Sequence, residues 1–592
     1  MSPSPLRLFV PITAIIYASS CRPAPHVWGS GASSTDVSST DASATLARID
    51  LMLTRYAMYG MSGSADIKLG RRRLTKAFGF ADRASGRLNT PSTLFDVGSV
   101  AKTFTAAAIL RLADGGRLRV TDSLSRYFPE FQGDNAGVTI HHLLTHTSGL
   151  PLDAGDAGVT ARDERAAFIT KASRVKLLSL PGTAYNYSNL GYGLLAIIIE
   201  RVSGRSYVDF IAKSLIEAGG LRASAMYGDS IAINDPRAAV GYIAGGEDTL
   251  VREPTIAREV NGSMTYGKYT LGSVGLLATA ADLSQWWNAL TTGILSASSH
   301  DVMLTPSFGD EGYGWHIAAR PSVGKRIYRG GARGGFTSLI SIYPERDATL
   351  VLLLNQQPSG WETLAWTAFE RALTGEQDSL PPSVVPMKAS DLATYAARYE
   401  INDSSAVIVK SQGNQLVIGL EGQSVIDLVV PDTDTAVRTG QRRVTRVEQN
   451  EAAARLIEAA LYTSSVELPG VSDRAGFVTW LKELSAGGRP LVLGTTPHPS
   501  ASTRTQTFVR FGEGDARVGR IIWQGGRVLA WGSGIQLPVL IRLLPVGADR
   551  FAAFGPKQPL LVVSFTRDAG GVISELRYGR QNLVARRTSG AN

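Results

Sequence analysis

The sequence predicts an α+β protein with two folded parts, the second of them mostly β. Residues 45–373 mix helix-forming runs with short apolar strands, and residues 388–592 carry apolar runs bounded by turn residues. Residues 374–387 separate the two parts and place three prolines within residues 381–386, which predicts a linker. Helical patterns over about 446–462 and 473–486 predict that an insertion at about 446–535 interrupts the β part.

The charge pattern limits the classes of partner. The chain has 592 residues and a formal net charge of +9, from 60 basic and 51 acidic side chains. The excess is spread along the whole chain, without a basic cluster or interleaved aromatic residues, so we expect no nucleic-acid partner. A basic chain of this kind suits an anionic cell envelope.

Residues 1–21 predict an export signal. Arg7 precedes an apolar run at residues 8–17, which is too short to remain as a spanning helix. Small residues then lead directly to Cys21, the single cysteine, in a pattern that resembles a bacterial lipoprotein signal. Ordinary cleavage that leaves a spare Cys21 is the alternative. The Ser-, Thr-, Gly- and Ala-rich residues 22–44 predict a flexible tether, so we expect a lipid-anchored protein in the periplasm or at the cell surface.

A candidate nucleophile lies where a short strand leads into an apolar helix. Ser99 and Lys102 are three residues apart at the start of a helix that Gly115 and Gly116 should end, so both side chains share one face. Desolvation favours the neutral amine of Lys102, which can then accept the hydroxyl proton of Ser99. The alternative is that Ser99 only caps the helix and Lys102 is solvated.

Two other tetrapeptides share this Ser-x-x-Lys spacing but lack the setting. The copy at Ser173 lies in a mixed, charged stretch, and the copy at Ser322 contains a glycine and precedes a predicted strand. The chain contains no Gly-x-Ser-x-Gly motif either, which argues against an α/β-hydrolase.

Tyr187 and Asn189 are the next candidates, at the end of a loop before a predicted helix. A phenol beside the Lys102 ammonium has a lowered pKa, so Tyr187 can take the serine proton and return it to a leaving group. Asn189 can hold Lys102 or a substrate amide. A buried tyrosine that only packs the loop is the alternative.

The third candidate segment is Arg329-Gly330-Gly331-Ala332, ahead of two predicted antiparallel strands at residues 338–343 and 348–354. Small residues such as Gly331 let a substrate backbone lie along a strand, and the Ala332 N–H can join the Ser99 N–H in an oxyanion hole. A flexible glycine turn is the alternative.

Three histidines, His141, His142 and His146, include a pair at i, i+4 spacing that is able to bind zinc. The sequence offers no third ligand, so we expect structural roles for them and no metal or other cofactor.

These segments occur in an order that resembles the serine β-lactamase and penicillin-binding-protein superfamily, with most likeness to its class C branch. The likeness covers most of residues 45–373 and is carried by residues 94–105, 143–150, 181–192, 275–283 and 312–315. It implies an antiparallel sheet flanked by helices, together with a helical subdomain. Residues 392–400 and the final strands show a fainter likeness to the lipocalin-like β-domains that follow some of these hydrolases.

Carried over to this chain, the resemblance makes Ser99 the acylated nucleophile and pairs Lys102 with Tyr187 in proton transfer. Asn189 becomes a substrate contact. The chain departs from the family at Arg329, because the family usually has lysine or histidine there. An arginine can bind a carboxylate but cannot transfer a proton.

The sequence therefore predicts an exported serine hydrolase that forms an acyl-enzyme with an amide, lactam or ester. The expected partner is a small-molecule or peptide acyl substrate, with cell-wall material among the candidates. A penicillin-recognising sensor or weak pseudoenzyme, whose β-rich region mediates binding, is the alternative. Substrate identity and oligomeric state stay open.

Overall fold

The computed structural model describes residues 39–592 apart from 154–164, 227–234, 245–249, 253–270, 358, 377–378, 403–404, 422–440, 463–470, 472, 486–489, 499–500, 512–516, 526, 534–539, 557, 579–582 and 589–592. The predicted signal segment with Cys21, and residues 22–38 of the predicted tether, lie outside the described residues. Within the described ranges, no helix combines the length and the apolar character that a membrane span requires.

The first helix begins earlier than expected. Helix α1 starts at Ser39, whereas the sequence analysis placed the first folded unit near Thr45. Ala42, Leu46 and Ile49 are buried at helical spacing, so the apolar face continues one turn into the Ser/Thr-rich segment.

The first domain, residues 39–373, contains ten α-helices in its described part: α1 (Ser39–Met58), α2 (Ala101–Asp114), α3 (Leu124–Tyr127), α4 (Ile140–Leu144), α5 (Arg165–Ser173), α6 (Asn189–Ser203), α7 (Tyr207–Ile211), α8 (Ala280–Ala289), α9 (Ala297–Met303) and α10 (Trp361–Leu373). Its strands are β1 (Gly63–Leu69), β2 (Arg72–Phe78), β3 (Phe80–Asp82), β4 (Arg87–Leu88), β5 (Phe95–Asp96), β6 (Ala225–Met226), β7 (Tyr242–Ala244), β8 (Leu250–Arg252), β9 (Leu276–Ala278), β10 (His316–Arg320), β11 (Gly324–Arg333), β12 (Phe336–Tyr343), β13 (Ala348–Leu354) and β14 (Gln356–Gln357).

A six-stranded antiparallel sheet with the order β10-β11-β12-β13-β1-β2 forms the centre of this domain. The predicted hairpin of β12 and β13 is confirmed, with Ser341 opposite Leu350. Strand β11 runs through Arg329, Gly331 and Ala332, so this segment is itself a strand and not an approach to one. The glycines weaken the strand signal in the sequence, whereas pairing with β12 holds the segment extended.

Helices cover both faces of the sheet, which explains why every residue of β12 and β13 is buried. One apolar core joins α1 and α10 to the first face of the sheet. A larger core joins α2, α6 and α8 to the other face. This arrangement confirms the predicted α+β class and places the start of α2 against the sheet.

The mostly β part is a closed barrel of eight strands. They are β15 (Ala397–Asn402), β16 (Ser405–Gln412), β17 (Gln415–Glu421), β22 (Leu540–Gly547), β23 (Arg550–Gly555), β24 (Gln558–Arg567), β25 (Ile573–Tyr578) and β26 (Leu583–Arg587), preceded by α11 (Ala389–Ala393). Rings from Tyr395, Phe551 and Phe565 pack against one another in its apolar core. Each described strand pairs with its neighbours in chain order, as in up-and-down barrels.

The predicted insertion lies between β17 and β22. It contains α12 (Gln441–Tyr462), α13 (Arg474–Ser485) and a four-stranded sheet of β18 (Pro490–His498), β19 (Ala501–Phe511), β20 (Arg517–Gln524) and β21 (Arg527–Ser533). Phe477 and Ile521 belong to its own apolar core. The apolar run at residues 425–430, which predicts another strand of the β part, lies outside the described residues.

The barrel packs on α1 and α10. Phe554 contacts the rings of Tyr56, Tyr59 and Trp361, with centroid distances of 5.4, 5.8 and 6.0 Å. The predicted linker is held in the same interface, since Val385 N donates to the Pro545 carbonyl at 2.8 Å. These contacts lie on the face of the sheet that is opposite α2.

We expect Phe554→Ala to destabilise the protein by about 2 kcal/mol, because a half-buried ring loses its three aromatic neighbours. Calorimetric unfolding should show a transition lowered by a few degrees. Val572→Ala, at a barrel side chain that is 56% exposed, should leave the transition in place. An unchanged thermogram for Phe554→Ala would show that the interface contributes little.

Candidate active site

Ser99 lies in a tight turn between β5 and α2. A single 3₁₀ turn spans Gly98–Val100, and the Asp96 carboxylate accepts a hydrogen bond from Gly98 N at 2.8 Å. Gly98 has a φ of +50° and approaches Ala332 so closely that a Cβ there would lie 2.9 Å from Ala332 N. Only glycine fits this approach, and the turn leaves the Ser99 side chain partly exposed.

Lys102 follows one helical turn later and is fully buried. Its Nζ lies 3.2 Å from Ser99 Oγ, 2.7 Å from Asn189 Oδ1 and 3.0 Å from the Ser273 carbonyl oxygen. Burial disfavours the charged ammonium and lowers the pKa of Lys102 to about 8. The predicted pairing of Ser99 with Lys102 is therefore present in the structure.

Tyr187 reaches the same hydroxyl from the loop before α6. Its Oη donates to Ser99 Oγ at 2.8 Å. Burial raises the pKa of a phenol, but the adjacent Lys102 and Arg329 cations outweigh that effect and lower the pKa of Tyr187 to about 8. Ser188 fixes the loop, because its N–H donates to His146 Nδ1 and its hydroxyl caps α6.

Asn189 has a defined orientation. Its Oδ1 accepts from Lys102, and its Nδ2 donates to the Asp153 carboxylate at 2.7 Å. A lysine can only donate and a carboxylate can only accept, so the opposite amide orientation would lose both bonds. The side chain links the buried ammonium to the exposed loop that carries Asp153.

Arg329 lies on β11 with its side chain buried. Its Nη2 donates to Tyr187 Oη at 3.2 Å, and its Nη1 lies 3.2 Å from Glu311 Oε1. The guanidinium is thus directed at the tyrosine. Binding of a substrate carboxylate by Arg329 stays a prediction.

Gly331 and Ala332 line the same strand beside the nucleophile. A Cβ at Gly331 would lie 2.2 Å from the Val97 carbonyl oxygen and 2.8 Å from Ser99 N. Ala332 is exposed, and its N–H was predicted to pair with that of Ser99 as an oxyanion hole. That role stays a prediction.

The three histidines have separate contacts. His141 Nδ1 lies 2.7 Å from the Tyr313 hydroxyl, and the His142 side chain takes part in the capping box of α4. His146 packs against the ring of Tyr187 at 4.3 Å. In the described part of the chain, no group of three or more potential ligands could hold a metal ion.

Four residues contact the site residues without having been predicted from the sequence: Asp153, Ser273, Glu311 and His316. Ser273 acts through its backbone carbonyl, which no residue type reveals. Glu311 and His316 directly flank the family-like segment 312–315. No pattern in the sequence indicates that either residue contacts Arg329.

A helix-and-sheet domain that brings a serine, a buried lysine and a tyrosine together defines the class of β-lactamase-type serine hydrolases and penicillin-binding proteins. A family model described as Beta-lactamase matches residues 47–373, which is more than half of the chain. The chain belongs to this family.

Two curated relatives and one solved structure illustrate the likeness. The chain is 28% identical to penicillin-binding protein 4* of Bacillus subtilis over 379 residues, covering 61% of this chain and 83% of that protein. It is 26% identical to Protein flp of Staphylococcus aureus (strain COL) over 304 residues, covering 49% and 58%. The octameric penicillin-binding protein homologue from Pyrococcus abyssi shares the fold, with 20% identity, a TM-score of 0.51, and coverage of 87% and 99%.

We expect Gly331→Ala to slow modification of Ser99 by at least about 100-fold, because the new Cβ must push β11 away from the Ser99 turn. A fluorophosphonate probe would measure the rate. Gly330→Ala is the matched control, since its nearest neighbour would be 3.8 Å away at the Ser338 carbonyl. Equal rates for the two variants would contradict the close packing of β11 on Ser99.

The rate of Ser99 acylation should rise with pH through about 8. Below that pH, Lys102 is an ammonium and Tyr187 a phenol, so neither accepts the serine proton; loss of one proton from the coupled pair creates the base. The profile of kcat/KM for a neutral ester should rise about tenfold per pH unit on the acid side and then level off. A flat profile between pH 5 and 9 would contradict this assignment.

Proposed function

We propose that the protein is a serine hydrolase that forms an acyl-enzyme on Ser99 with amide, lactam or ester substrates. The carrying observation is that Tyr187 Oη and Lys102 Nζ both lie within hydrogen-bond distance of Ser99 Oγ, which is partly exposed. The lowered pKa of both neighbours lets one of them lose a proton and then accept that of Ser99. The hydroxyl is therefore an activated nucleophile.

In the acylation step, Ser99 Oγ attacks the substrate carbonyl carbon while its proton passes to the Tyr187–Lys102 pair. The carbonyl oxygen becomes an oxyanion, for which the N–H groups of Ser99 and Ala332 are the candidate donors. The tetrahedral intermediate then breaks its C–N or C–O bond, and the amine or alcohol takes the proton from the pair; it leaves, or in a lactam stays attached to the acyl group. In the second half-reaction a water molecule gives a proton to the pair and attacks the ester carbonyl. The acyl–Oγ bond breaks, the carboxylic acid leaves, and the pair returns the proton to Ser99 Oγ.

Arg329 takes part in this scheme without transferring a proton. Contact with Tyr187 and Glu311 raises the pKa of its guanidinium despite burial, so it carries a fixed positive charge. That charge stabilises a phenolate at Tyr187. Proton transfer therefore rests on the tyrosine and the lysine.

The relatives and the site together support a proposal for the substrate class. The name of the Bacillus subtilis relative states penicillin binding, and we propose that β-lactams or peptides of cell-wall origin are acyl donors for this chain. We further propose export by the segment 1–21, with Cys21 lipidated and the protein held at the membrane. The apolar run after Arg7 and the small residues before Cys21 support this localisation.

A penicillin-recognising sensor is the second candidate, favoured by one observation. Arg329 occupies the position at which the family usually has a lysine or histidine, so the site has lost one group that could exchange protons. In a sensor, Ser99 would be acylated and the ester would persist.

We expect Ser99→Ala to abolish labelling by a fluorophosphonate and by a fluorescent penicillin, while the protein remains folded. Mass spectrometry should locate the adduct of the unmodified protein on Ser99. Ser322→Ala is the matched control, because Ser322 belongs to the exposed Ser-x-x-Lys copy at the start of β11 and should label fully.

Turnover then separates the two candidates. Labelling with steady release of product from an ester or a chromogenic cephalosporin supports the hydrolase, whereas a stable adduct without turnover supports the sensor. Full labelling of Ser99→Ala would refute both.

A further inference from the structure

A buried ion pair contacts the Tyr187 hydroxyl. Arg329 Nη1 lies 3.2 Å from Glu311 Oε1, and the two side chains are 2% and 1% exposed. The other terminal nitrogen, Nη2, donates to Tyr187 Oη at 3.2 Å. One guanidinium therefore connects the Glu311 carboxylate to the phenol that contacts Ser99.

His316 closes this arrangement. Its Nδ1 lies 2.9 Å from Glu311 Oε2, at ion-pair distance but without hydrogen-bond geometry, and its Nε2 lies 3.4 Å from Arg329 Nη1. The backbone holds Glu311 at this point, because its N–H donates to the Phe308 carbonyl and its own carbonyl accepts from Ser307 N. Both carboxylate oxygens thus face a nitrogen, and the main chain of Glu311 is fixed on both sides.

Several other ionisable groups face the guanidinium or the ion pair. Five of them lie on other helices and loops: Lys102 on α2, His146 after α4, Tyr185 and Tyr187 on the loop before α6, and Tyr192 on α6. A sixth, Asp310, precedes Glu311 in the chain and lies 3.6 Å from His316. The Lys102 ammonium repels Arg329, so a contacting carboxylate is needed to hold a second cation in this space. Glu311 supplies that carboxylate.

We propose that Glu311 is a positioning residue for the proposed hydrolysis: its carboxylate anchors the Arg329 guanidinium against the Tyr187 hydroxyl, and His316 holds the carboxylate in place. The proposal rests on the proposed function, and it assigns roles to two residues that need not touch the substrate. It also explains how an arginine is tolerated where the family usually has a lysine or histidine.

The physical reason is the high cost of a buried charge without a partner. If Glu311 loses its charge, Arg329 is a desolvated cation beside Lys102, and its long side chain can turn toward water. Tyr187 then loses the cation that stabilises its phenolate, so its pKa rises and the reactive form needs a higher pH.

The test is a set of pH profiles for Ser99 modification by a fluorophosphonate, recorded from pH 5 to 10 on the full chain. Glu311→Gln should shift the midpoint by about one unit to higher pH and slow the reaction about tenfold at pH 7. Arg329→Gln should shift the profile in the same direction. The double variant Glu311→Gln/Arg329→Gln should resemble Arg329→Gln alone, because the anchor has nothing left to hold.

Three outcomes would overturn the proposal. A shift to lower pH in Glu311→Gln would mean that Arg329 stays in place and that the carboxylate acts only on the local potential. A rate that falls equally at every pH would indicate a structural role. Additive shifts of the midpoint in the double variant would mean that Glu311 does not act through Arg329.

Two controls protect the interpretation. Asp301→Asn removes a carboxylate on α9 that is 84% exposed and lies outside this network, and it should leave the midpoint unchanged. His316→Gln provides a second background, because His316 itself titrates: burial lowers its pKa, but Asp310 and Glu311 outweigh that and raise it. The shift caused by Glu311→Gln should persist in that background.

Folding and the proposed function are monitored separately. If Glu311→Gln alone fails to fold, the double variant still allows the comparison with Arg329→Gln, and a midpoint that differs between these two variants would count against the proposal. If the unmodified protein fails to label at Ser99, the proposed function fails. If the unmodified protein labels at Ser99 and the variants keep the same midpoint, only the positioning role of Glu311 is refuted.

Discussion

The desolvation of one ammonium group, that of Lys102, is the constraint on which the rest of the site depends. A lysine in water keeps its proton at neutral pH and cannot assist a serine. Here the sheet, α2 and α6 exclude water from it, while Asn189 and the Ser273 carbonyl satisfy its donors. The surrounding elements exclude water from the Lys102 ammonium and preserve its hydrogen bond to Ser99.

The same dry environment shapes the other charges. The pKa of Tyr187 is lowered mainly by the two cations beside it, and the Glu311 carboxylate offsets the repulsion between those cations. Low dielectric strengthens each of these interactions and makes each unpaired group costly. Chemistry at Ser99 and stability of the buried network are therefore difficult to change independently.

The sequence was most informative where chemistry and local pattern coincide. Ser99, Lys102, Tyr187 and Asn189 could be found because a strand, a turn and an apolar helix give them a recognisable setting. Strand β11 was harder, since its glycines serve close packing on Ser99 rather than strand propensity. Glu311 precedes β10, where it bridges to His316, and β10 pairs with β11, which carries Arg329; such pairing is a tertiary property.

The closure of the barrel has a consequence for how the insertion is attached. Strands β17 and β22 are hydrogen-bonded neighbours, with Gly419 opposite Leu540, although residues 422–539 separate them along the chain. The strands at the two ends of this insertion are thus only one inter-strand spacing apart. The barrel is therefore closed at this point by hydrogen bonds between β17 and β22, and no described strand of the insertion takes part in its eight-stranded order.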